Sequence, residues 1–455
     1  MVAGAITEAL VHSRRIDEGV TMPVSKQGNV TAPLRTRLPR RIATVLRDAG
    51  KSADRLKMPA YAVGGFVRDL LRGHPTLDLD LVVEGDGLKF ARALAQGLHA
   101  QVKVHERFRT ATVSLSDGFK LDIATARTER YEYPAALPTV RPSSIQEDLY
   151  RRDFTINTLA ICLNRRSFWK LLDLYGGQRD ITKRTIRVLH SQSFIDDPTR
   201  IFRAIRFELR LGFRISDETQ ALIKEVVEKD LIDQVSGQRL LGELRSLLSE
   251  RDARLAINRF AELDLLRFIH PKLAWSRRLE GILKRVEGTM GWYVERYPAR
   301  GIEGWLLYMM AFMDMLPRRS VEEALKRFAY GKWEAKCIRA TRFEVNMITS
   351  RLSRRPLPRP AETTRVLSRF ADAVLLYLMA TCRSSAIKQQ LSAYFDIYQQ
   401  VKPVTTGKDL KAMGLKPGPR FTRILSQLRD ARLNGEVRTE AEERRMARTL
   451  SSRTK

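Results

Sequence analysis

The sequence predicts an α+β protein, a small mixed head followed by a long all-helical arm, and three observations lead there. Strand-like runs are confined to about residues 40–160, where they alternate with helical stretches. After about residue 180 the apolar spacing changes to a 3.6-residue period and keeps it to the end. The charge is strongly one-sided, 81 Lys and Arg against 52 Asp and Glu for a formal +29, and it is spread through these segments rather than gathered in a tail. Such an excess implies a polyanionic partner, nucleic acid before an anionic membrane. With 455 residues, 44% of them hydrophobic, the chain has room for about three domains and is not of the disordered class.

The elements follow in order. Residues 1–35 are polar, punctuated by Pro and Gly, and read as an extension. "GLKFARALAQGL" carries apolar residues at helical spacing, and "ATVSLSDGFKLDIATA" is a hairpin with Asp117-Gly118 as its turn signal. "DDPTRIFRAIRFELRLGF", "ETQALIKEVVEKDLI" and "GQRLLGELRSLLSE" are amphipathic helices, and Pro-rich breaks at 354–360 and 415–420 divide the arm. The apolar run from Trp305 to Leu316 is interrupted by Asp314 and too short to span a bilayer, so it is expected as a buried helix. Cys162, Cys337 and Cys382 fit no zinc spacing and suggest a reducing cytosol, hence a cytoplasmic protein. The N-terminus has an acid inside its apolar part and no basic residue before it, unlike a secretory signal.

Chemistry concentrates in "AVGGFVRDLLRG" and "TLDLDLVVEGDG". On a strand, residues i and i+2 share a face, so Leu79, Leu81 and Val83 point into a core while Asp78 and Asp80 point the other way. Two adjacent anions repel unless a cation or proton offsets them; a solvated face of an edge strand is the plain alternative. Upstream, Gly64-Gly65 ends a short apolar strand and opens a helix, where glycine lets backbone N–H groups approach phosphate. Arg68 falls in that helix's first turn, able to add a cation or simply to pair with Asp69. A third acid, Asp122, sits on a later strand with Leu121 and Ile123 facing away from it. Three carboxylates beside a phosphate-gripping turn suit two Mg2+ ions about 3.5–4 Å apart, which clamp an in-line phosphoryl displacement.

These motifs together resemble nucleotidyltransferases of the DNA polymerase β type. With "EDLYRRDFTINTLAICL" and "LLDLYGGQRDITKRTIRVLHSQSFIDDPTRIFRAIRFELRLGF", the stretch from Tyr61 to Glu250 is similar to the class II tRNA nucleotidyltransferases, the CCA-adding enzymes and their bacterial poly(A) polymerase relatives. "GLKPGPRFTRILSQLRDARLNGEV" resembles their tail. The resemblance implies a catalytic head (36–180), a neck with a nucleotide-template motif (181–270), a body (271–395) and an RNA-binding tail (396–455). It implies metal ligation by Asp78, Asp80 and Asp122, triphosphate contacts at Gly64, Gly65 and Arg68, and handling of ribose and phosphates by Arg152, Asp153 and Asn157 in "RRDFTIN". Asp153 and Thr155 also suit helix capping.

In "DDPTRIFRAIR", Asp197, Arg200, Arg203 and Arg206 recur every third residue, which on one helix would place them on a shared face. Asp197-Pro198 is also a good N-cap with proline at the first helical position. The resemblance makes Asp197 and Arg200 a protein template for the incoming base. A carboxylate accepts from the exocyclic amine of cytosine or adenine, and a guanidinium donates to the neighbouring ring nitrogen. Uracil and guanine present a carbonyl there, a mismatch costing roughly 1–3 kcal/mol when buried. Arg203 and Arg206 extend the positive face toward the triphosphate. Two positions depart from the family pattern: Asp196 replaces the usual Glu before Asp197, and Gln238 stands where Glu is frequent, with Glu243 nearby.

The reaction so implied is attack of an RNA 3′-hydroxyl on the α-phosphate of ATP or CTP, with pyrophosphate leaving. The basic helical arm would hold a tRNA acceptor arm by shape. Addition of CCA, of CC or of A alone are all open. "TARTERYEYPAALPTVRPSSIQED", expected as a loop, most resembles the A-adding subgroup. A poly(A) polymerase is the alternative product reading, and a non-catalytic RNA-binding protein the alternative of another class.

Overall fold

The computed structural model describes residues 38–74 and 78–452, so the expected 1–35 extension lies outside the described residues. The chain divides into two compact units after Leu231.

The first unit is built on a seven-stranded sheet. Its strands are β1 (Ala60–Val63), β2 (Leu79–Val83), β3 (Gln101–His105), β4 (Thr110–Ser114), β5 (Lys120–Thr125), β8 (Leu159–Cys162) and β9 (Leu171–Asp173), with a separate ribbon of β6 (Arg127–Arg130) and β7 (Thr139–Pro142). The strand order is β3-β4-β5-β2-β1-β8-β9. Only the β2–β5 pair is parallel; the other neighbours in this sheet run antiparallel.

Strand β2 is therefore the middle strand of the sheet, which removes the edge-strand explanation of the Asp-x-Asp. Leu79, Leu81 and Val83 enter the main core as the alternation requires, packed with residues of α1 (Arg40–Leu56), α2 (Gly65–Leu71) and α3 (Gly87–Gly97). Asp86 caps α3, accepting from the N–H groups of Leu88 and Lys89 at 3.0 Å each. Val63, Val82 and Ala160, on the opposite face, join a smaller core with Ile145 and Leu149 of α4 (Ile145–Tyr150). The β4–β5 hairpin turns at Gly118 with φ +85°, as Asp117-Gly118 predicts.

The ribbon corrects one expectation. The Arg-, Tyr- and Pro-rich stretch after Asp122 is not simply a loop: Arg127–Arg130 pairs antiparallel with Thr139–Pro142, leaving only residues 131–138 between them. Glu129 on β6 accepts from Arg127, Arg151 and Tyr131, so ionic partners stabilise a strand whose sequence lacks an apolar alternation. Beyond the sheet follow α5 (Gly177–Thr182), α6 (Ser193–Asp196), α7 (Arg200–Leu211) and α8 (Asp217–Glu228). Between them Thr185–Ile186 pairs parallel with Arg214–Ile215, a two-residue bridge too short for any periodicity to reveal.

The second unit is helical. The run expected as a buried helix is Gly304–Asp314, and Trp305 through Met313 are all buried. It packs against Gly237–Leu248, Arg277–Arg296, Lys332–Phe343 and Asp372–Thr381. Near the C-terminus, Leu410, Ile424, Leu428 and Ala447 form a separate small core. Glu443, fully buried there, is held by Arg432 and by the N–H groups of Val404 and Thr405. No described helix is long and apolar enough to cross a membrane.

Candidate active site

Three acids converge. Asp80 and Asp122 are register partners on the parallel pair β2–β5, and Asp78 immediately precedes β2. Each offers a carboxylate oxygen, and these oxygens all lie within 4.8 Å of one another. Asp78 and Asp122 are exposed while Asp80 is half-buried. Burial and the neighbouring Asp78 raise the Asp80 pKa to about 6, against the opposing pull of Arg152. The donor set is all oxygen, open to solvent, and closely spaced, which fits hard divalent cations such as Mg2+.

The glycine turn stands beside these acids. Gly64 adopts φ +69° and ψ −133°, and a Cβ placed there would meet Arg152 Nη1 at 2.9 Å and Asp80 Oδ2 at 3.8 Å. Glycine is thus required at this position for its backbone conformation, and the Arg152 guanidinium occupies the space that a Cβ would crowd. Gly65 opens α2, as expected.

Arg152 is positioned by a residue that sequence reasoning missed. Asp148 is completely buried and accepts from Arg152 Nη2 at 3.0 Å and Arg151 Nη2 at 2.7 Å. Burial pushes its pKa up, but the two guanidinia outweigh that and hold it below the ordinary carboxylate value. The signal was available: an acid followed by arginines at i+3 and i+4 marks one helical face.

Arg68 makes the ion pair with Asp69 that was one of its two expected roles. Its guanidinium is 5% exposed, clasps Asp69 through Nε at 2.9 Å and Nη2 at 2.7 Å, and donates from Nη1 to Asn157 Oδ1 at 2.8 Å. Asn157 in turn donates to Asp153 Oδ1 at 2.9 Å, and Asp153 Oδ2 receives Arg203 Nε and Nη2 at 2.9 and 2.6 Å. Burial alone would raise Asp153, yet Arg203, Asn157 and the more distant Arg200 bring its pKa down to about 2. Arg68, Arg203 and Arg206 all approach the Phe207 ring, with Cζ 5.2, 5.7 and 5.9 Å from its centroid.

The template motif needs a correction. Asp197 does not share a helix with the three arginines; it is extended (φ −140°, ψ 92°) and precedes α7. Its Oδ1 accepts from Thr199 N at 3.0 Å and Thr199 Oγ1 at 2.6 Å, but the expected cap is not realised: Asp197 and Pro198 both precede the helix, which opens at Arg200 with Thr199 at the N-cap position and no side-chain cap. Arg200 is buried, donating from Nη1 to Ser193 Oγ at 2.7 Å and from Nη2 to the Arg151 carbonyl at 2.8 Å. That second bond ties the start of α7 to the segment that carries Arg152. Arg203 and Arg206 are half-buried on α7, where their spacing does put them on one face.

Two further features complete the site. Thr112, which sequence reasoning did not single out, donates to Asp122 Oδ1 at 2.6 Å. A cavity of about 380 Å³ lies against the acids, lined by Asp80, Asp122, Thr110, Thr112, Arg151 and Arg152 among others.

Comparison with known proteins adds to this geometry. A family model described as Poly A polymerase head domain matches residues 60–187, and one described as Probable RNA and SrmB- binding site of polymerase A matches residues 212–276. The chain is 42% identical over 442 residues to an A-adding tRNA nucleotidyltransferase of Geobacter sulfurreducens, covering 94% of this chain and 50% of that protein. It is 33% identical over 415 residues to an A-adding tRNA nucleotidyltransferase of Halalkalibacterium halodurans, covering 89% of this chain and 91% of that one. The chain thus spans about half the length of the first relative and nearly all of the second. Among solved structures, a CCA-adding enzyme in its apo form II superposes with a TM-score of 0.75 at 33% identity, covering 92% of this chain and 98% of that one.

Proposed function

This chain belongs to the tRNA nucleotidyltransferase family, and from that premise we propose that it adds the terminal adenosine of the CCA sequence to a tRNA 3′ end. The observation that carries the chemistry is the convergence of Asp78, Asp80 and Asp122 within 4.8 Å beside Gly64 and Arg152. Adenosine is favoured over cytidine because the two relatives above, similar along most of this chain, both bear the A-adding name.

In this reading the acceptor's 3′-oxygen attacks the α-phosphorus of ATP, a new P–O bond forms, and the bond to the departing pyrophosphate breaks. Asp78, Asp80 and Asp122 would hold Mg2+, which when bound supplies Lewis-acid activation of the attacking hydroxyl and neutralises charge on the triphosphate. Gly64 and Gly65 let backbone donors approach the phosphates, and Arg152, fixed by Asp148, supplies a cation that need not reorganise during reaction. The chain Arg68–Asn157–Asp153–Arg203 braces the floor of the site against α7. Asp197, oriented by Thr199, accepts from the adenine amine, and Arg200, anchored between Ser193 and the Arg151 carbonyl, donates to the ring nitrogen; Arg203 and Arg206 add positive potential for the phosphates.

We assign catalysis to 36–180, base selection to 181–270, and tRNA contact by shape and phosphate charge to 271–395 and 396–455. The setting is the bacterial cytoplasm, where tRNA and ATP are at hand.

The deciding experiment is single-nucleotide incorporation with Mg2+ on three tRNA transcripts, one lacking CCA, one ending in C and one ending in CC, given CTP and ATP separately and together. One adenosine added only to the CC-ending tRNA is the expected result. Cytidine followed by adenosine on the bare tRNA would make this a complete CCA-adding enzyme. Long adenosine runs would mean a poly(A) polymerase, and no incorporation at all, equal to that of Asp80→Ala, would leave RNA binding as the function.

A further inference from the structure

We propose that Thr112 is a positioning residue for the metal-holding acids: through its bond to Asp122 it keeps that carboxylate turned into the cluster, so that the site is assembled before any cation arrives. The inference rests on the reading of Asp78, Asp80 and Asp122 as the Mg2+ site and names a residue on which that site's affinity depends.

Asp122 has reason to leave the cluster. It is exposed, so water would solvate it in another rotamer, and it faces two other carboxylates at close range. What opposes that escape is Thr112, its direct partner in the β4–β5 register. The Thr112 Oγ1 to Asp122 Oδ1 distance of 2.6 Å is that of a hydroxyl donating to an anionic oxygen. A β-branched side chain on a strand has few χ1 options, so the hydroxyl is itself held in place. The other hydroxyls on this face of β4 have no such partner across the ladder: Thr110 stands opposite Ala124 and Ser114 opposite Lys120. Thr112 is therefore the one β4 hydroxyl set against an acid. Donors behind metal ligands commonly set affinity in this way, with losses of 10–100-fold on their removal.

The substitution Thr112→Val keeps the β-branch and the strand propensity and removes only the donor. Because Asp122 is exposed and can be rehydrated, the melting temperature should stay within a few degrees of wild type. The test is Mn2+ binding to the full chain without nucleotide or RNA, followed by the electron paramagnetic resonance of free Mn2+. Thr112→Val should weaken binding about 10-fold and Thr112→Ser, which keeps the hydroxyl, about 2-fold or less. In adenosine incorporation, the Mg2+ concentration giving half the maximal rate should rise in Thr112→Val while KM for ATP at saturating Mg2+ stays near wild type. Wild-type Mn2+ affinity in Thr112→Val would overturn the proposal, as would a Thr112→Ser loss equal to that of Thr112→Val. Should Asp80→Ala also bind Mn2+ like wild type, the metal reading itself falls and Thr112 with it; an Asp80→Ala loss beside an unaffected Thr112→Val sinks Thr112 alone.

Discussion

Arg203 Nη2 lies 2.6 Å from Asp153 Oδ2, joining α7 to a carboxylate 50 residues earlier in the chain. Asp153 is almost fully enclosed, whereas Arg203 keeps 35% of its side-chain exposure, so the acid is the partner that cannot be left alone. Replacing Arg203 by Met should therefore strand a buried anion, at a cost of about 2–4 kcal/mol, the lower end reflecting solvent screening on the arginine side. Asp153→Asn should cost less, and the double variant should cost less than the sum of the two. Urea denaturation of the three variants measures this directly. The pH sign is fixed by the depressed Asp153 pKa of about 2. Its stabilisation is present above the unfolded carboxylate value near 4 and is lost as pH falls from there through 2, and Asp153→Asn should flatten that part of the profile.

Asp80 has the opposite sign. In the metal-free protein its pKa is pushed up to about 6, so the native state binds this proton more tightly than the unfolded chain does. The associated stability is fully present below about pH 4 and is lost as pH rises through 6. Asp80→Asn should thus stabilise the metal-free protein at pH 7.5 by on the order of 1–3 kcal/mol, discounted for partial exposure, while abolishing nucleotide incorporation. Thermal melts from pH 4 to 8 in EDTA and then in excess Mg2+ test both halves. Mg2+ should close most of the gap between wild type and variant, and a variant no more stable than wild type in EDTA would contradict the account.

Much of this was legible from residue spacing because the signals are local. A period of two with Leu79, Leu81 and Val83 inward leaves Asp80 nowhere to go but the other face, and a Gly-Gly between strand and helix limits the backbone there. The sequence could not show that β2 is central, since strand order depends on contacts between distant segments. Nor could it show that Arg68, besides pairing with Asp69, reaches Asn157, 89 residues later in the chain. Asp197 was read as part of a helical face because a three-residue spacing is blind to where the helix begins. Asp148 was passed over for a plainer reason: of its two partners Arg152 was read as ligand-facing and Arg151 was not singled out, and a buried acid paired with arginines leaves no apolar pattern. The ribbon β6–β7 was missed because charged side chains, rather than an alternating apolar face, stabilise it.

Asp148 gives the third prediction. Asp148→Asn keeps the shape of the side chain but removes the charge that holds two guanidinia. Arg151 retains Glu129 at 2.8 Å, whereas Arg152 loses the carboxylate that aims it at Gly64 and Asp80. The KM for ATP should therefore rise about 10-fold with a smaller change in kcat, since a misaimed cation weakens phosphate binding before it alters the acids. Arg152→Met should show the same pattern more strongly. Steady-state kinetics at saturating tRNA separate the two parameters, and a fall confined to kcat would place the role of Asp148 elsewhere.

Gly64→Ala is the sharpest test of the turn. At φ +69° and ψ −133° an alanine is strained whatever the space around it, and its methyl would stand 2.9 Å from Arg152 Nη1. The guanidinium is the far end of a long side chain and can retreat, so the sheet should survive with a loss of about 1–3 kcal/mol. The retreat, however, displaces the cation beside Asp80, and either the backbone strain or the moved arginine would spoil the approach of phosphate. Incorporation should fall at least about 10-fold while circular dichroism stays that of the wild type. Combining Gly64→Ala with Arg152→Met separates the two causes. If the methyl acts by moving Arg152, the double variant should be no worse than Arg152→Met alone; if the backbone itself no longer admits the phosphate, the two losses should multiply.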